Sequence, residues 1–191
     1  ESAFERFESS VEGVGFSPCG QYYVVMTRYD VFIFESATHK KIYKDSYWLK
    51  NFNRALAVSM GSNSILIGDQ NGKLKLISFP NGRSLIEWDG HSKKASASIV
   101  LKDGKTWLDH LRQKELSCNE YVASILLSRD GKRGWSTGGD CLIKRWNCAT
   151  GKLLNFWDAQ ENVPPTLFLS KDESKIFSIP AKECYKRTSV R

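Results

Sequence analysis

The chain has 191 residues, of which 41% are hydrophobic and 26% charged, so it suits a globular domain or part of one. No apolar run approaches the roughly 18 residues of a membrane span, and the first residues lack the basic-then-apolar pattern of a secretory signal. The net charge of +7 favours acidic partners only weakly, because the lysines and arginines are spread along the chain.

Short strands with turns between them follow one another along the chain. Residues 22–26 and 31–34 are rich in aromatic and β-branched side chains, and residues 65–67 and 74–77 form a second pair of such runs. Asn-Gly at 71–72 predicts a hairpin, since both residues accept positive φ. Long helical periodicity is missing, so the pattern predicts an all-β fold.

One unit, an apolar strand followed by a polar turn and a second strand, recurs in the sequence. Its copies lie at residues 14–21, 56–62, 125–132 and 167–175. The turn positions 20, 61, 131 and 174 are 41, 70 and 43 residues apart. The outer two intervals match a structural repeat of about 40 to 45 residues.

The long interval contains a partial copy at residues 97–105. Gly104 lies 43 residues after Gly61 but only 27 before Gly131, so one repeat is short. This repeat is degenerate or incomplete, or residues 107–116 form a short helix with Thr106 as its N-cap. The sequence leaves these alternatives open.

Residues 136–154 resemble a blade of the WD-repeat (WD40) family. They contain Ser-Thr-Gly-Gly-Asp, a strand that ends in Trp146-Asn147 where the family has Trp-Asp, and then Thr-Gly-Lys; Gly90-His91 resembles the family's Gly-His element. The resemblance covers residues 10–180 approximately. It implies a divergent, partial WD40-type β-propeller of four to five four-stranded blades, which fits as part of a seven- or eight-bladed ring. The expected blades are residues 10–50, 51–91, 92–118 (truncated or degenerate), 119–158 and 159–191.

The resemblance also implies a buried polar network inside a blade. In the family the turn Asp accepts hydrogen bonds from His and from the backbone, and the Trp indole donates to Ser or Thr. The matching structural residues are His91, Thr137, Asp140 and Trp146. Because no His stands just before Tyr121, we expect the network of this blade to be incomplete.

Sequence signals for catalysis are lacking. The chain has no nucleotide-binding glycine motif and no paired-Cys metal spacing, and His39, His91 and His110 are scattered. We therefore predict no enzyme activity, no catalytic residue, no metal and no cofactor. The odd number of cysteines, without close pairs, argues against a disulfide framework and predicts an intracellular location, in the cytoplasm or nucleus.

Two functions from different classes fit the sequence. The first is a protein-interaction scaffold, a subunit of a larger assembly that binds peptides or other subunits, self-associates or docks onto a second propeller fragment; Arg133 and Trp135 are the candidate contacts. The second is an RNA- or chromatin-associated subunit, as in ribosome assembly. It uses neighbouring aromatic and basic residues at 43–44, 47–50, 133–135 and 185–187.

Overall fold

The computed structural model describes residues 6–45, 55–79, 82–91, 121–159 and 164–179, and every regular element in these ranges is a β-strand. The prediction of an all-β fold is confirmed.

The strands form four sheets, called blades 1 to 4. Blade 1 contains β1 (Val11–Phe16), β2 (Tyr22–Thr27), β3 (Val31–Glu35) and β4 (Lys41–Asp45). Blade 2 contains β5 (Ala55–Met60), β6 (Ser64–Asp69), β7 (Lys73–Ser78) and β8 (Ser84–Asp89). Blade 3 contains β9 (Val122–Leu127), β10 (Arg133–Gly138), β11 (Leu142–Asn147) and β12 (Lys152–Asp158). Blade 4 contains β13 (Thr166–Leu169) and β14 (Ile176–Ile179).

Each blade is an antiparallel meander in which sequential strands pair with one another. The first strands of successive blades lie side by side, so β5 contacts both β1 and β9, and β9 contacts β13. The blades therefore stack face to face around a common inner row of strands.

The repeated turn of the sequence closes the first hairpin of three blades by the same hydrogen bond. A serine hydroxyl accepts from the backbone N–H five residues later, at 3.0 Å for Ser17, 2.9 Å for Ser128 and 2.9 Å for Ser170. The residue that reverses the chain has positive φ, which favours glycine at 20 and 131, whereas Glu173 adopts it in blade 4. The sequence repeat thus reflects the geometry of one turn.

The core lies between the blades. Ile65 and Ile67 of β6 pack with Val24 and Met26 of blade 1. Leu66, which points to the opposite face of the same strand, packs with residues of blade 3. All six residues of β6 are buried, because a neighbouring blade covers each face.

Blades 2 and 3 are in direct contact. The N–H of Ser62 donates to the carbonyl of Arg129 at 2.8 Å, and the N–H of Leu127 donates to Ser59 Oγ at 3.0 Å. Gly68 lies so close to Val122 that a Cβ there would fall 2.5 Å from a Val122 methyl. Blades 2 and 3 are therefore adjacent in the stack. The blade predicted at 92–118 and the alternative helix at 107–116 both lie outside the described residues.

Candidate functional site

A chain of buried polar side chains joins blade 2 to blade 3. His91 follows β8, Asp140 lies in the turn between β10 and β11, and these two strands supply Ser136 and Trp146. His91 Nδ1 lies 2.6 Å from Asp140 Oδ1, and His91 Nε2 lies 2.7 Å from Ser136 Oγ. The Trp146 indole N–H donates to the same Ser136 Oγ at 2.8 Å. The network therefore links the connector after blade 2 to two strands of blade 3.

The donor and acceptor of each hydrogen bond in this chain follow from the two side chains at its ends. The indole of Trp146 can only donate and the carboxylate of Asp140 can only accept. Ser136 therefore accepts from Trp146 and donates its own proton to His91 Nε2, and His91 Nδ1–H donates to Asp140. Burial lowers the pKa of His91, which keeps the ring neutral as this arrangement requires.

Lys144 is the fifth member of the network and is fully buried. Its ammonium donates to Asp140 Oδ2 at 2.7 Å and to the carbonyl of Gly90 at 2.7 Å. Burial would raise the pKa of Asp140, but its interactions with His91 and then the charge and hydrogen bond of Lys144 outweigh it and hold this pKa well below its usual range. Burial lowers the pKa of Lys144, yet the two short contacts fit a charged ammonium. Asp140 and Lys144 form a buried ion pair.

Three of the four predicted structural residues meet in this network, namely His91, Asp140 and Trp146. Thr137 does not join it, because neighbouring residues on a strand point to opposite faces. Its hydroxyl donates instead to the carbonyl of Pro165, before blade 4, at 2.8 Å. Ser136, one position earlier, supplies the hydroxyl of the network.

The expectation that this network is incomplete is wrong. His91 fills the histidine position from 49 residues before Asp140. The search just before Tyr121 missed it because residues 92–120 separate this histidine from β9 in the sequence. Sequence reasoning also missed Ser136 and Lys144. Lys144 lies two positions before Trp146 on β11, so the two side chains point to the same face, and Ser136 lies directly opposite Lys144 on β10.

The two predicted partner contacts lie between blades 3 and 4. Trp135 is only 4% exposed, with the Arg145 guanidinium 6.0 Å from its ring centroid, so the prediction of a surface contact is wrong for Trp135. Arg133 is partly exposed, and its guanidinium lies 3.7 Å from the Glu173 carboxylate of blade 4. Arg133 therefore links two blades of this chain.

The Asp140–His91–Ser136 order resembles a hydrolase triad in its contacts but not in its surroundings. A nucleophilic serine must reach a substrate, whereas Ser136 and His91 are buried and the Ser136 oxygen already accepts from Trp146. The arrangement fixes the blades relative to one another.

Within the described ranges, no group of three or more His, Cys, Asp or Glu side chains could hold a metal ion. No helix in the same part of the chain has the length and apolarity to cross a membrane.

Comparison with known proteins identifies the fold to which this arrangement of blades belongs. No family model matches the chain. It is similar to apoptotic protease-activating factor 1 of Rattus norvegicus, with 25% identity over 137 residues, and to that of Mus musculus, with 24% identity over 132 residues. The aligned parts are 64% and 61% of this chain but only 11% and 10% of those proteins.

Two solved structures share the fold. The crystal structure of RRP9 WD40 repeats matches with a TM-score of 0.63 at 12% identity, and the structure of U3-55K matches with 0.62 at 13% identity. Each match covers 85% of this chain and 43% of the solved chain, so the chain spans under half of either structure. The chain has a divergent WD40-type β-propeller fold, as the sequence resemblance implied.

Proposed function

We propose that this chain is a non-catalytic scaffold, a subunit of a larger intracellular assembly that binds other proteins. The observation that carries the proposal is a set of exposed apolar side chains on the outer faces of blades 1 and 4. On blade 1 they lie beside Val25, Phe32 and Phe34 of the same face, which are buried. Blade 1 exposes Val14 and Phe16, the latter to 65%, and blade 4 exposes Phe168 to 48%, Phe177 to 53% and Ile179 to 55%.

Among the described residues, the faces between blades 1 and 2 and between blades 2 and 3 are covered by the neighbouring blade. Blade 2 buries both of its faces against its neighbours, whereas blades 1 and 4 each have one neighbour among the described residues. Contiguous exposed apolar side chains on a folded protein indicate a protein interaction site. A protein surface, a second propeller fragment or a second copy of the chain is the partner that these faces fit.

A scaffold has to hold its surfaces in fixed positions, and the buried network supports that role. Each of its members is hydrogen-bonded to another, which fixes the position of blade 3 on the connector from blade 2. The intracellular part of the proposal rests on cysteine usage. Burial raises the pKa of the Cys148 thiol to about 12, so this residue is an unreactive core side chain.

The RNA-binding alternative has less support. Of the aromatic residues that were candidates for base stacking, Trp135 is buried and Tyr43 packs against the core between blades 1 and 2. The candidates at 47–50 and 185–187 lie outside the described residues. No described feature favours RNA over a protein partner.

The test compares three aspartate variants in quantitative capture of partner proteins from cell extract. Phe16→Asp and Phe168→Asp place a charge on the two open faces. Leu154→Asp is the matched control, since Leu154 is also 48% exposed but lies on the outer strand β12. We expect the two phenylalanine variants to lose bound protein while the control retains it.

Light scattering complements the capture experiment. A concentration-dependent dimer that Phe168→Asp abolishes supports self-association as the mode of binding. Capture that is equal for all three variants contradicts the proposal. A monomer that shifts with added RNA only at low salt favours the nucleic-acid alternative, because phosphate contacts weaken with salt.

A further inference from the structure

The turns at one end of blades 3 and 4 carry a surplus of exposed lysine and arginine. They are the β9–β10 turn (residues 128–132), the β11–β12 turn with the first residue of β12 (148–152) and the β13–β14 turn (170–175). Their exposed basic side chains, called here the basic turn surface, are Arg129, Lys132, Lys152, Lys171 and Lys175. We propose that this surface binds an acidic segment of a partner protein.

Hydrogen bonds from backbone N–H groups hold the three turns together. The N–H of Arg129 donates to the Glu173 carboxylate at 2.6 Å, which joins the β9–β10 turn to the turn of blade 4. The N–H of Cys148 donates to the carbonyl of Lys132 at 2.9 Å, which joins the same turn to the β11–β12 turn. The basic side chains therefore project from a fixed frame, so a partner does not have to order the turns when it binds.

The carboxylates in these turns have partners of their own. Asp130 accepts from Ser128 Oγ at 2.6 Å. Asp172 accepts from Ser170 Oγ at 2.6 Å and from Ser174 Oγ at 2.7 Å, and these hydrogen bonds lower the pKa of Asp172 to about 2. Both aspartates hold the shape of their turns and leave the neighbouring lysines available to a partner.

The two ends of blades 3 and 4 differ in charge. In the described part of these blades, every exposed lysine or arginine belongs to the basic turn surface, and none of its four lysines forms an ion pair there. At the other end, residues 138–142, 157–159 and 164–166 contain Asp140 and Asp158 and no lysine or arginine. A positive field at one end of the stack attracts and orients a partner of negative charge.

The mixture of charges in the turns favours a peptide over a nucleic acid. The β9–β10 and β13–β14 turns place Asp130 and Asp172 beside their basic residues. The phosphates of a nucleic acid repeat at every nucleotide and would meet these carboxylates, whereas a peptide can place a hydroxyl or an N–H donor opposite them. The three turns also contain no aromatic residue on which a base could stack.

Charge reversal at opposite ends of the blades tests the proposal. The probe is a fluorescein-labelled peptide of alternating glutamate and serine, and its binding to the purified chain is measured by fluorescence anisotropy at physiological salt. Lys132→Glu/Lys171→Glu reverses two charges of the basic turn surface. The control is Arg6→Glu/Arg28→Glu, at exposed positions before β1 and in the β2–β3 turn, because it changes the net charge equally.

We expect the lysine variant to bind the peptide about tenfold more weakly, because each reversed charge removes an attraction and adds a repulsion. The control should change binding by less than about twofold, since charges beyond the screening length contribute little. Equal weakening in the two variants overturns the proposal, and so does a chain that does not bind the peptide. Oligouridine that binds more tightly than the peptide also overturns it, in favour of phosphate recognition.

Carbodiimide cross-linking of the same peptide to the unsubstituted chain locates the site without any variant. We expect the peptide glutamates to couple mainly to the lysines of the basic turn surface, as identified by mass spectrometry. Coupling mainly to other lysines overturns the proposal. The basic turn surface is separate from the apolar outer faces of blades 1 and 4, so this result is independent of the capture experiment.

Discussion

The buried ion pair gives the sharpest prediction about stability. Asp140 accepts from His91, Lys144 and the N–H of Leu142. Asp140→Asn keeps the shape of the side chain but removes its negative charge. One of the two Asp140 oxygens becomes an NH₂ group, which faces a donor whichever way the amide turns.

The expected loss follows from the burial of both charges. Lys144 is fully buried, and its remaining acceptor in the network is the carbonyl of Gly90. Removing one partner of a buried ion pair typically costs about 3–5 kcal/mol. Since a domain has only about 5–15 kcal/mol of stability in total, we expect Asp140→Asn to be close to unfolding. Glu8→Gln, at an exposed position before β1, is the control and is expected to change the free energy of unfolding by less than about 0.5 kcal/mol.

Urea unfolding measures both variants, with far-UV circular dichroism and tryptophan fluorescence as probes. The double variant Asp140→Asn/Lys144→Met should be more stable than Asp140→Asn alone, because no charge is then left unpaired in the core. A loss below about 1 kcal/mol for Asp140→Asn refutes the reasoning. A double variant no more stable than Asp140→Asn assigns the loss to the hydrogen bonds and not to the charge.

Three further predictions concern the same junction. Ser136→Ala leaves two buried partners without a hydrogen bond, so it should lower the free energy of unfolding in urea by about 2–4 kcal/mol. Thr137→Ala loses one hydrogen bond and should lower it by about 1 kcal/mol. Equal losses for the two variants contradict the network. Because burial lowers the pKa of His91 from its ordinary 6.5, the unfolded chain binds more protons than the folded chain. The urea midpoint should therefore fall as pH drops below about 6.5, and less steeply in His91→Gln; identical pH profiles contradict this. Gly68→Ala puts a methyl 2.5 Å from Val122 and should lower the melting temperature. The double variant Gly68→Ala/Val122→Ala should recover part of that melting temperature, because the clashing methyl is removed. If the melting temperature does not recover, the strain lies elsewhere.

The first hairpin turn of each blade could be predicted from the sequence because its geometry is local. Ser128 and Gly131 satisfy the turn within five residues of chain, through one serine hydroxyl and one positive φ. The same local rules predicted the strands and the all-β class. Asp140 and Trp146 were found for a related reason, since both lie in one hairpin with a recognisable order of residues.

Only the tertiary structure decided which residues meet across blades. His91 joins Asp140 from 49 residues away, a separation that no local pattern encodes. Trp135 has the same sequence environment whether it is a surface contact or a core residue. The structure shows that it is buried, with the Arg145 guanidinium of the neighbouring strand 6.0 Å from its ring centroid. The choice of Ser136 over Thr137 depends on which face of β10 meets blade 2. The sequence by itself determined the repeating turns and strands, because these depend on neighbouring residues. The stacking of the blades determined the buried polar network, because its side-chain partners come from different sheets.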